Sequence, residues 1–364
     1  MKIVFDCRYT RIGRHDGISR YTAGLVTALA KRHPLTMLIS DHRQLEMLPD
    51  LPWELISSPT SAREPLVAYE VNKLKPDVVF TPMQTMGGWG RDYRLVLTVH
   101  DLIYYRNRTP PRDLAWPIRL LWRLYHLAWW PQRMLLNRAD AVVTVSQATK
   151  NLIAEHHLTR RPISVVMNAA DAPGAAHAAP TVRTAPMSKS LVYMGSFMPY
   201  KNVDTLVRAA AMLPDYELHL MSRIQERERE RLTAIAPGAR IVFHDGASDE
   251  EYTQALRDAT ALVTASLDEG FGIPLVESMT LGTPVVVSDI PIFREIGGEA
   301  ALYFEAVSAD GLVARIRELE APGVWAGRSA ASEREAGRFT WDASAEHLLT
   351  VLTAAAARSR RRLG

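Results

Sequence analysis

The length, composition and charge of the chain limit its class. Its 364 residues exceed what one hydrophobic core usually holds and suit two domains of ordinary size. The formal net charge of +3 is too small to indicate nucleic-acid binding, and it fits an enzyme that handles anionic ligands. The single cysteine, Cys7, excludes an internal disulfide framework and suits a reducing cytosol.

The sequence shows no sign of export or of a membrane span. No apolar run approaches the roughly 18 residues that a membrane helix needs. The chain opens on a strand pattern at residues 2–6 rather than on a signal peptide. We therefore expect a cytoplasmic protein, with peripheral contact at the inner membrane surface left open.

Strand and helix patterns alternate through the first half of the chain. After the first strand, a loop leads through Gly17 into a helix whose apolar residues recur at spacings of three and four. Further short, β-branched runs occur at 35–39, 77–80, 95–99, 141–145 and 163–167. Such alternation predicts an α/β fold with a parallel, doubly wound sheet, in which ligands bind beyond the carboxyl ends of the strands. His100 directly follows the 95–99 run and is a candidate site residue for that reason.

Residues 112–138 differ in character from the rest of the chain. They hold four tryptophans, and basic side chains recur every seven positions at Arg112, Arg119, His126 and Arg133. Pro117 and Pro131 interrupt the pattern. If helical, the segment is either an interfacial helix that meets anionic lipid headgroups or a helix pair packed on its own domain with solvated arginines.

The second half begins with a strand pattern at 190–194. A loop led by Gly195 and ending at Lys201 follows it and precedes a helix. A lysine just ahead of a helix start can place its ammonium on a phosphate held by that start. Lys201 is therefore a second candidate.

The most informative stretch is residues 266–282. A buried strand pattern, 261–265, passes through a glycine-rich turn into a helix with Pro274 in its first turn and Gly282 at its end. Free N–H groups at a helix start favour phosphate, and glycines at 270 and 272 allow a ligand to approach the backbone. Glu269 before the helix and Glu277 in its first turn can flank a hydroxyl-bearing ligand, so a sugar diphosphate fits the pattern.

Taken together, these motifs resemble those of the retaining GT-B glycosyltransferases of family 4. The resemblance lies in Glu269 and Glu277 with seven residues between them, in the Val-His-Asp-Leu string around His100 and in Gly-Ile-x-Arg-Tyr from Gly17. It implies two Rossmann-like domains that face each other across a cleft, and a mannosyltransferase-like activity.

The resemblance also implies a role for each matched residue. Glu269 and the amides of residues 270–272 would hold the sugar hydroxyls, amides at the helix start would hold the diphosphate, and Glu277 would hold the ribose. His100 would lie against the donor sugar. We expect catalytic roles for His100, Glu269 and Lys201, and donor binding by Gly17, Gly195, Lys201, Glu269, Gly270, Phe271, Gly272, Leu275, Val276 and Glu277.

The chain departs from the family in one respect. The family has an arginine next to the glycine or the lysine of the second-domain loop, where this sequence has Ser196 and Tyr200. Only Lys201 carries over, so the source of a second positive charge at the diphosphate is open.

We expect five segments. They are an acceptor-side domain at 1–170, a linker at 171–186, a donor domain at 187–338, a final helix at 339–357 that packs back on the first domain and a basic tail at 358–364.

The expected reaction is retaining transfer of a hexose, best matched by mannose from GDP-mannose, to a hydroxyl of a glycan or lipid-linked acceptor. A UDP-sugar donor, an epimerase or phosphorylase on the same architecture, and a nonenzymatic binding relative remain as alternatives. We expect no metal and no cofactor, because the sequence has no Asp-x-Asp or histidine cluster with ligand spacing.

Overall fold

The computed structural model describes residues 1–13, 15–110, 116–170 and 183–357. The chain divides into two compact units, Met1–Ala169 with Thr340–Gly364 and Ala170–Phe339. Each unit contains one parallel sheet in which helices alternate with strands along the chain, as the two-domain Rossmann-like prediction requires. Arg112, most of the expected linker and the basic tail lie outside the described residues.

The sheet of the first unit has seven parallel strands in the order β3-β2-β1-β4-β5-β6-β7. The strands are β1 Ile3–Asp6, β2 Leu35–Ile39, β3 Trp53–Leu55, β4 Val78–Thr81, β5 Arg94–Val99, β6 Ala141–Thr144 and β7 Ile163–Val165. Every residue of β1, β4 and β6 is buried, which explains their continuous apolar runs. The edge strand β3 is exposed throughout and has no β-branched residue, so its sequence did not predict it.

The sheet of the second unit has six parallel strands in the order β10-β9-β8-β11-β12-β13. The strands are β8 Ser190–Tyr193, β9 Glu217–Leu220, β10 Ile241–Phe243, β11 Ala261–Thr264, β12 Val285–Ser288 and β13 Leu302–Phe304. In both sheets the chain starts near the centre and builds outward in two directions, which creates a switch point between β1 and β4 and another between β8 and β11.

The helices connect the strands and cover the sheets. They are α1 Gly17–Ala30, α2 Val67–Asn72, α3 Ile103–Arg106, α4 Trp116–Tyr125, α5 Trp130–Arg138, α6 Gln147–Glu155, α7 Val203–Ala211, α8 Glu226–Ile235, α9 Asp249–Asp258, α10 Ile273–Thr280, α11 Pro291–Gly297, α12 Ala309–Leu319, α13 Val324–Ala336 and α14 Trp341–Ala357. None of the described helices combines the length and the apolar composition that crossing a bilayer requires.

The structure corrects the reading of the tryptophan-rich segment. Pro131 lies in the first turn of α5, where proline is tolerated, rather than interrupting a helix, and Pro117 is the second described residue of α4. The chain forms two short helices, α4 and α5, with a break over residues 126–129. The basic repeat therefore does not form one continuous stripe.

The last helix belongs to the first unit and packs against α1. Gly24 of α1 lies directly under the indole of Trp341, because a Cβ at this glycine would come 2.6 Å from Trp341 Cδ2. Tyr21, one turn earlier, contacts the same indole edge to face at 6.2 Å between ring centroids. The small residue in α1 thus sets how closely α14 approaches.

We expect Gly24→Ala to destabilise the first unit by about 1–3 kcal/mol, because the added methyl forces the indole away. Gly327→Ala is the matched control: this exposed glycine of α13 has open space around its Cβ, so alanine should stabilise the second unit by about 0.5–1 kcal/mol. Urea denaturation, followed by hydrogen exchange and mass spectrometry, measures the free energy of unfolding of each unit separately. A stabilising effect of both substitutions would contradict the close packing of α1 on α14.

Candidate active site

The predicted donor-binding residues of the second unit lie on loops at the switch point of its sheet. The loop after β8 carries Gly195 and Lys201, and the loop after the adjacent β11 carries Glu269. Both loops leave the carboxyl ends of their strands, where parallel sheets bind ligands.

Lys201 and Glu269 form an ion pair across these two loops. The lysine ammonium donates a hydrogen bond to Glu269 Oε1, and the two side chains are 16% and 13% exposed. Ser266 Oγ donates to the same carboxylate oxygen at 2.8 Å. The sequence predicted the two residues separately, for a phosphate and for a sugar; the structure brings them into direct contact.

Asn202, which sequence reasoning missed, holds the two loops together. Its Nδ2 donates to the carbonyls of Ala265 at 3.2 Å and Ala306 at 2.7 Å, at the ends of β11 and β13. Its backbone is left-handed, with φ of +50°, which asparagine tolerates better than most residues. A further backbone bond, Leu267 N–H to the Tyr200 carbonyl at 2.7 Å, joins the loops directly. The sequence signal that could have indicated this role is the position of Asn202 between Lys201 and the start of α7.

Gly195 has a packing reason for being glycine. A Cβ at this position would lie 2.7 Å from the Tyr193 hydroxyl, which donates to the Ser196 carbonyl at 2.7 Å. Burial, with the nearby Glu269 charge, raises the pKa of Tyr193 well above its ordinary value, so the phenol stays protonated and keeps this bond. The Gly195 N–H donates to Ser222 Oγ at 3.1 Å. Donor binding by Gly195 stays a prediction.

The start of α10 offers backbone donors rather than side chains. The side chains of Phe271, Leu275 and Val276 are buried, so only their backbone could meet a ligand. The Leu275 N–H already donates to the Gly272 carbonyl at 2.9 Å, and Pro274 has no N–H. The helix therefore leaves the N–H groups of Gly272 and Ile273 without an intrahelical acceptor.

Two glycines around α10 adopt the left-handed conformation. Gly272 is the N-cap residue with φ of +96°, and Gly282 follows the helix with φ of +66°, as the sequence predicted for the helix end. A Cβ at Gly272 would lie 3.1 Å from the Phe293 ring, so the turn is also tightly packed. The predicted close approach of a ligand to the backbone at Gly270 and Gly272 stays a prediction.

We expected Glu277 in the first turn of α10, but it is the fifth residue of the helix and is buried. The helix begins at Ile273, so the carboxylate stands one turn from the positive end of the dipole and is not simply a complement to it. Contact between Glu277 and a ribose stays a prediction.

In the first unit, His100 lies at the carboxyl end of β5. Its Nε2 is 2.7 Å from the carbonyl oxygen of Pro82, which follows β4, and Tyr21 contacts the ring edge to face at 5.1 Å. Because a carbonyl only accepts, Nε2 carries the proton and Nδ1 is left as an acceptor. Burial lowers the pKa of His100 below its ordinary 6.5, which keeps the imidazole neutral.

Gly17 is the first residue of α1 rather than part of the preceding loop. Asp16 caps the helix by accepting from the Ser19 N–H at 2.9 Å. The predicted contact between Gly17 and donor phosphates is not tested by this placement.

A buried ionic network that sequence reasoning missed shapes the loop after β1. Arg8 is buried and pairs with Asp6 through Nε at 2.8 Å and with Glu64 through Nη1 at 2.7 Å. Gln44 Nε2 donates to the carbonyls of Arg8 and Thr10 at 2.9 and 2.8 Å. Asp6 is close to Arg8 in sequence, but Glu64 and Gln44 lie 56 and 36 positions from it, so no local pattern could reveal the network.

Two further features concern the surroundings of the site. A cavity of about 510 Å³ lies at the opposite, amino-terminal edge of the second sheet, among residues such as Lys189, Glu217 and His219, and contains none of the predicted site residues. Within the part of the chain that the structure describes, no group of three or more histidine, cysteine or carboxylate residues is placed to hold a metal ion. Independence from metal stays a prediction.

Comparison with known proteins gives two family matches that together cover most of the chain. The family described as Glycosyltransferase Family 4 matches residues 15–172. The family described as Glycosyl transferases group 1 matches residues 181–333.

Individual relatives and structures are distant but extensive. The O-antigen chain mannosyltransferase RfbU of Salmonella typhimurium (strain LT2) is 23% identical over 329 residues, 85% of this chain and 89% of the relative. An MMP α-(1→4)-mannosyltransferase of Mycolicibacterium hassiacum is 26% identical over 277 residues, 73% of this chain and 66% of the relative. Anabaena HepE, solved in complex with UDP-glucose, superposes with a TM-score of 0.71 at 17% identity, over 97% of this chain and 100% of HepE.

We expect Asn202→Gly to destabilise the second unit by about 1–3 kcal/mol, because two carbonyls lose their donor while the left-handed backbone remains allowed. Asn202→Ala should cost about 1–2 kcal/mol more, because it adds the left-handed strain to the same loss. Urea denaturation of both variants measures the difference. Equal stabilities would show that the backbone conformation contributes nothing.

We expect His100 to stay neutral, protonated at Nε2, from pH 8 down to its ordinary pKa of 6.5. Since its pKa is lower in the folded than in the unfolded chain, its contribution to stability is present above pH 6.5 and is lost as the pH falls through the folded-state value. Imidazole ¹H–¹⁵N NMR spectra of the wild type and of His100→Asn, which assigns the signal, measure this. Protonation of His100 above pH 6.5 would contradict it.

Proposed function

Because the chain is a family 4 glycosyltransferase built from two Rossmann-like units, we propose that it transfers mannose from GDP-mannose to a hydroxyl of a glycan or lipid-linked acceptor, with retention of configuration. The family identification favours this over an epimerase, a phosphorylase or a nonenzymatic relative. The mannosyl specificity draws on the relatives, since the names of RfbU and of the M. hassiacum enzyme both state mannosyl transfer.

The contact between Lys201 and Glu269 is the observation that supports the proposal most. Breaking the glycosidic bond leaves negative charge on the diphosphate, and a catalyst needs positive groups already oriented toward it. Glu269 holds the Lys201 ammonium within the loop that precedes α7, in the same cluster as the start of α10. An arriving diphosphate would replace the carboxylate as partner of the ammonium, which frees Glu269 to accept hydrogen bonds from sugar hydroxyls.

This exchange explains how two residues of opposite charge serve one donor. Both side chains are largely buried, and a largely buried charge that loses its partner is strongly destabilised. Without the donor, each charge neutralises the other; with the donor, the phosphate and the hydroxyls take over. The site is thus kept oriented without an unpaired charge in either state.

We assign the second positive charge at the diphosphate to Arg223. The family arginine is replaced by Ser196 and Tyr200, but Arg223 is exposed on the loop after β9, next to β8 in the sheet. Its neighbour Ser222 accepts the hydrogen bond from the Gly195 N–H. An arginine on this loop would compensate for the absent one on the Gly195 loop.

The resemblance also assigns His100 to the donor sugar. The proposal uses its Nδ1 as an acceptor for a sugar hydroxyl, because Nε2–H is held by the Pro82 carbonyl. A neutral imidazole is suited to positioning a hydroxyl rather than to neutralising phosphate charge.

We expect Glu269→Gln to lower kcat/KM for transfer by about 100-fold or more, because the amide keeps the shape but loses the charge and one acceptor. Glu250→Gln, at an exposed position in the first turn of α9, is the matched control and should leave kcat/KM unchanged. Release of nucleotide diphosphate in the presence of acceptor measures turnover, and circular dichroism verifies folding.

The same assay, run with GDP-mannose and with UDP-glucose, tests the donor. UDP-glucose is the comparison because HepE was solved with it. A preferred donor at about 100 times its Kd should stabilise the protein by about 2.7 kcal/mol, which a thermal shift detects. Turnover with UDP-glucose alone would reject GDP-mannose, and unchanged turnover of Glu269→Gln would remove that residue from the mechanism.

A further inference from the structure

The outward face of α4 is apolar, the reverse of what a helix on a protein surface normally shows. Leu120, Leu121 and Leu124 are 48%, 68% and 55% exposed, and Ile118 borders them. At 100° per residue these side chains fall on one side of the helix. None of the residues of α4 is buried.

The opposite face of α4 is anchored to the first unit, so the exposure does not come from a detached helix. Trp122 contacts Tyr104 edge to face at 5.0 Å, and the ring of His126 lies 4.1 Å from that of Trp122. Tyr105 stacks on Trp129 at 4.1 Å between centroids, in the connection to α5. This aromatic cluster fixes which side of α4 points outward.

The apolar face is bordered by positive charge. Arg123 is exposed and falls about 60° around the helix from Leu120, and the half-buried Arg119 lies one turn before it. Neither arginine forms an ion pair among the described residues. Over residues 103–138 the sequence holds seven arginines and a single acidic residue, Asp113. Arg133 and Arg108 use backbone carbonyls as acceptors instead of carboxylates.

We propose that this face, defined as Ile118, Leu120, Leu121 and Leu124 with Arg119 and Arg123, docks on the surface of an anionic lipid bilayer. Burial of the leucines at the headgroup boundary removes their apolar surface from water, and the arginines pair with lipid phosphates. Trp116 and Trp130, both exposed, start α4 and α5 and suit the boundary between water and hydrocarbon. A second copy of the chain would bring equal positive charge against this edge, which opposes self-association.

Vesicle flotation of the full chain tests the docking. We expect the wild type to float with vesicles of phosphatidylcholine and phosphatidylglycerol and not with phosphatidylcholine alone. Leu121→Ser/Leu124→Ser should reduce partitioning by at least about tenfold, because the bound face loses its apolar area. Leu55→Ser/Leu66→Ser is the matched control, since these leucines are similarly exposed in the same unit and lie outside the face.

The charge contribution is tested in the same way. Arg119→Gln/Arg123→Gln should also reduce partitioning by at least about tenfold, whereas Lys31→Gln/Arg160→Gln, at exposed positions elsewhere in the unit, should change it little. Added salt should weaken the binding of the wild type.

Three results would overturn the proposal. They are wild-type protein that does not float with anionic vesicles, serine variants that float as well as the wild type, and a solution dimer that the Leu121/Leu124 variant converts to monomer. The last, read by analytical ultracentrifugation, would identify the face as an interface between copies. Flotation does not require turnover, so a failure here is separate from a failure of the proposed transfer reaction.

Discussion

The coupling between the loops after β8 and β11 is the constraint on which the candidate site depends. An ion pair, a backbone hydrogen bond and the side chain of Asn202 all join these loops. The parallel sheet delivers the two loops to the same edge, but only these contacts determine which side chains meet there. Asn202 also donates to the Ala306 carbonyl, just beyond β13. The position of Lys201 therefore depends on three strands, β8, β11 and β13.

Much of the fold could be predicted from the sequence because its signals are local. Short β-branched runs predicted the central strands, and Pro274 with Gly282 predicted the limits of α10. The edge strand β3, which has no β-branched residue, could not be found in this way. Local signals also placed Glu277 in the first turn of α10, whereas it lies just beyond that turn, because the N-cap is a left-handed glycine and not the more usual serine or aspartate.

The site could be predicted only as separate residues. Lys201 and Glu269 are 68 positions apart, and Arg8 and Glu64 are 56 apart, so nothing in their immediate sequence indicates contact. The polarity of α4 was ambiguous for a related reason: the repeat of basic residues suggested a stripe, but the direction in which the helix points depends on Tyr104 and Tyr105 from another segment. Tertiary contacts therefore decided what periodicity left open.

The packing of Trp341 on Gly24 affects how the polypeptide folds during its synthesis. All seven strands of the first sheet are synthesised before the second unit. In contrast, α14, which covers α1, is synthesised only after the whole second unit. Until then, the apolar surface of α1 around Gly24 stays uncovered in the nascent chain. The first unit therefore begins to fold first and finishes last, which prolongs the exposure of its apolar surface during translation.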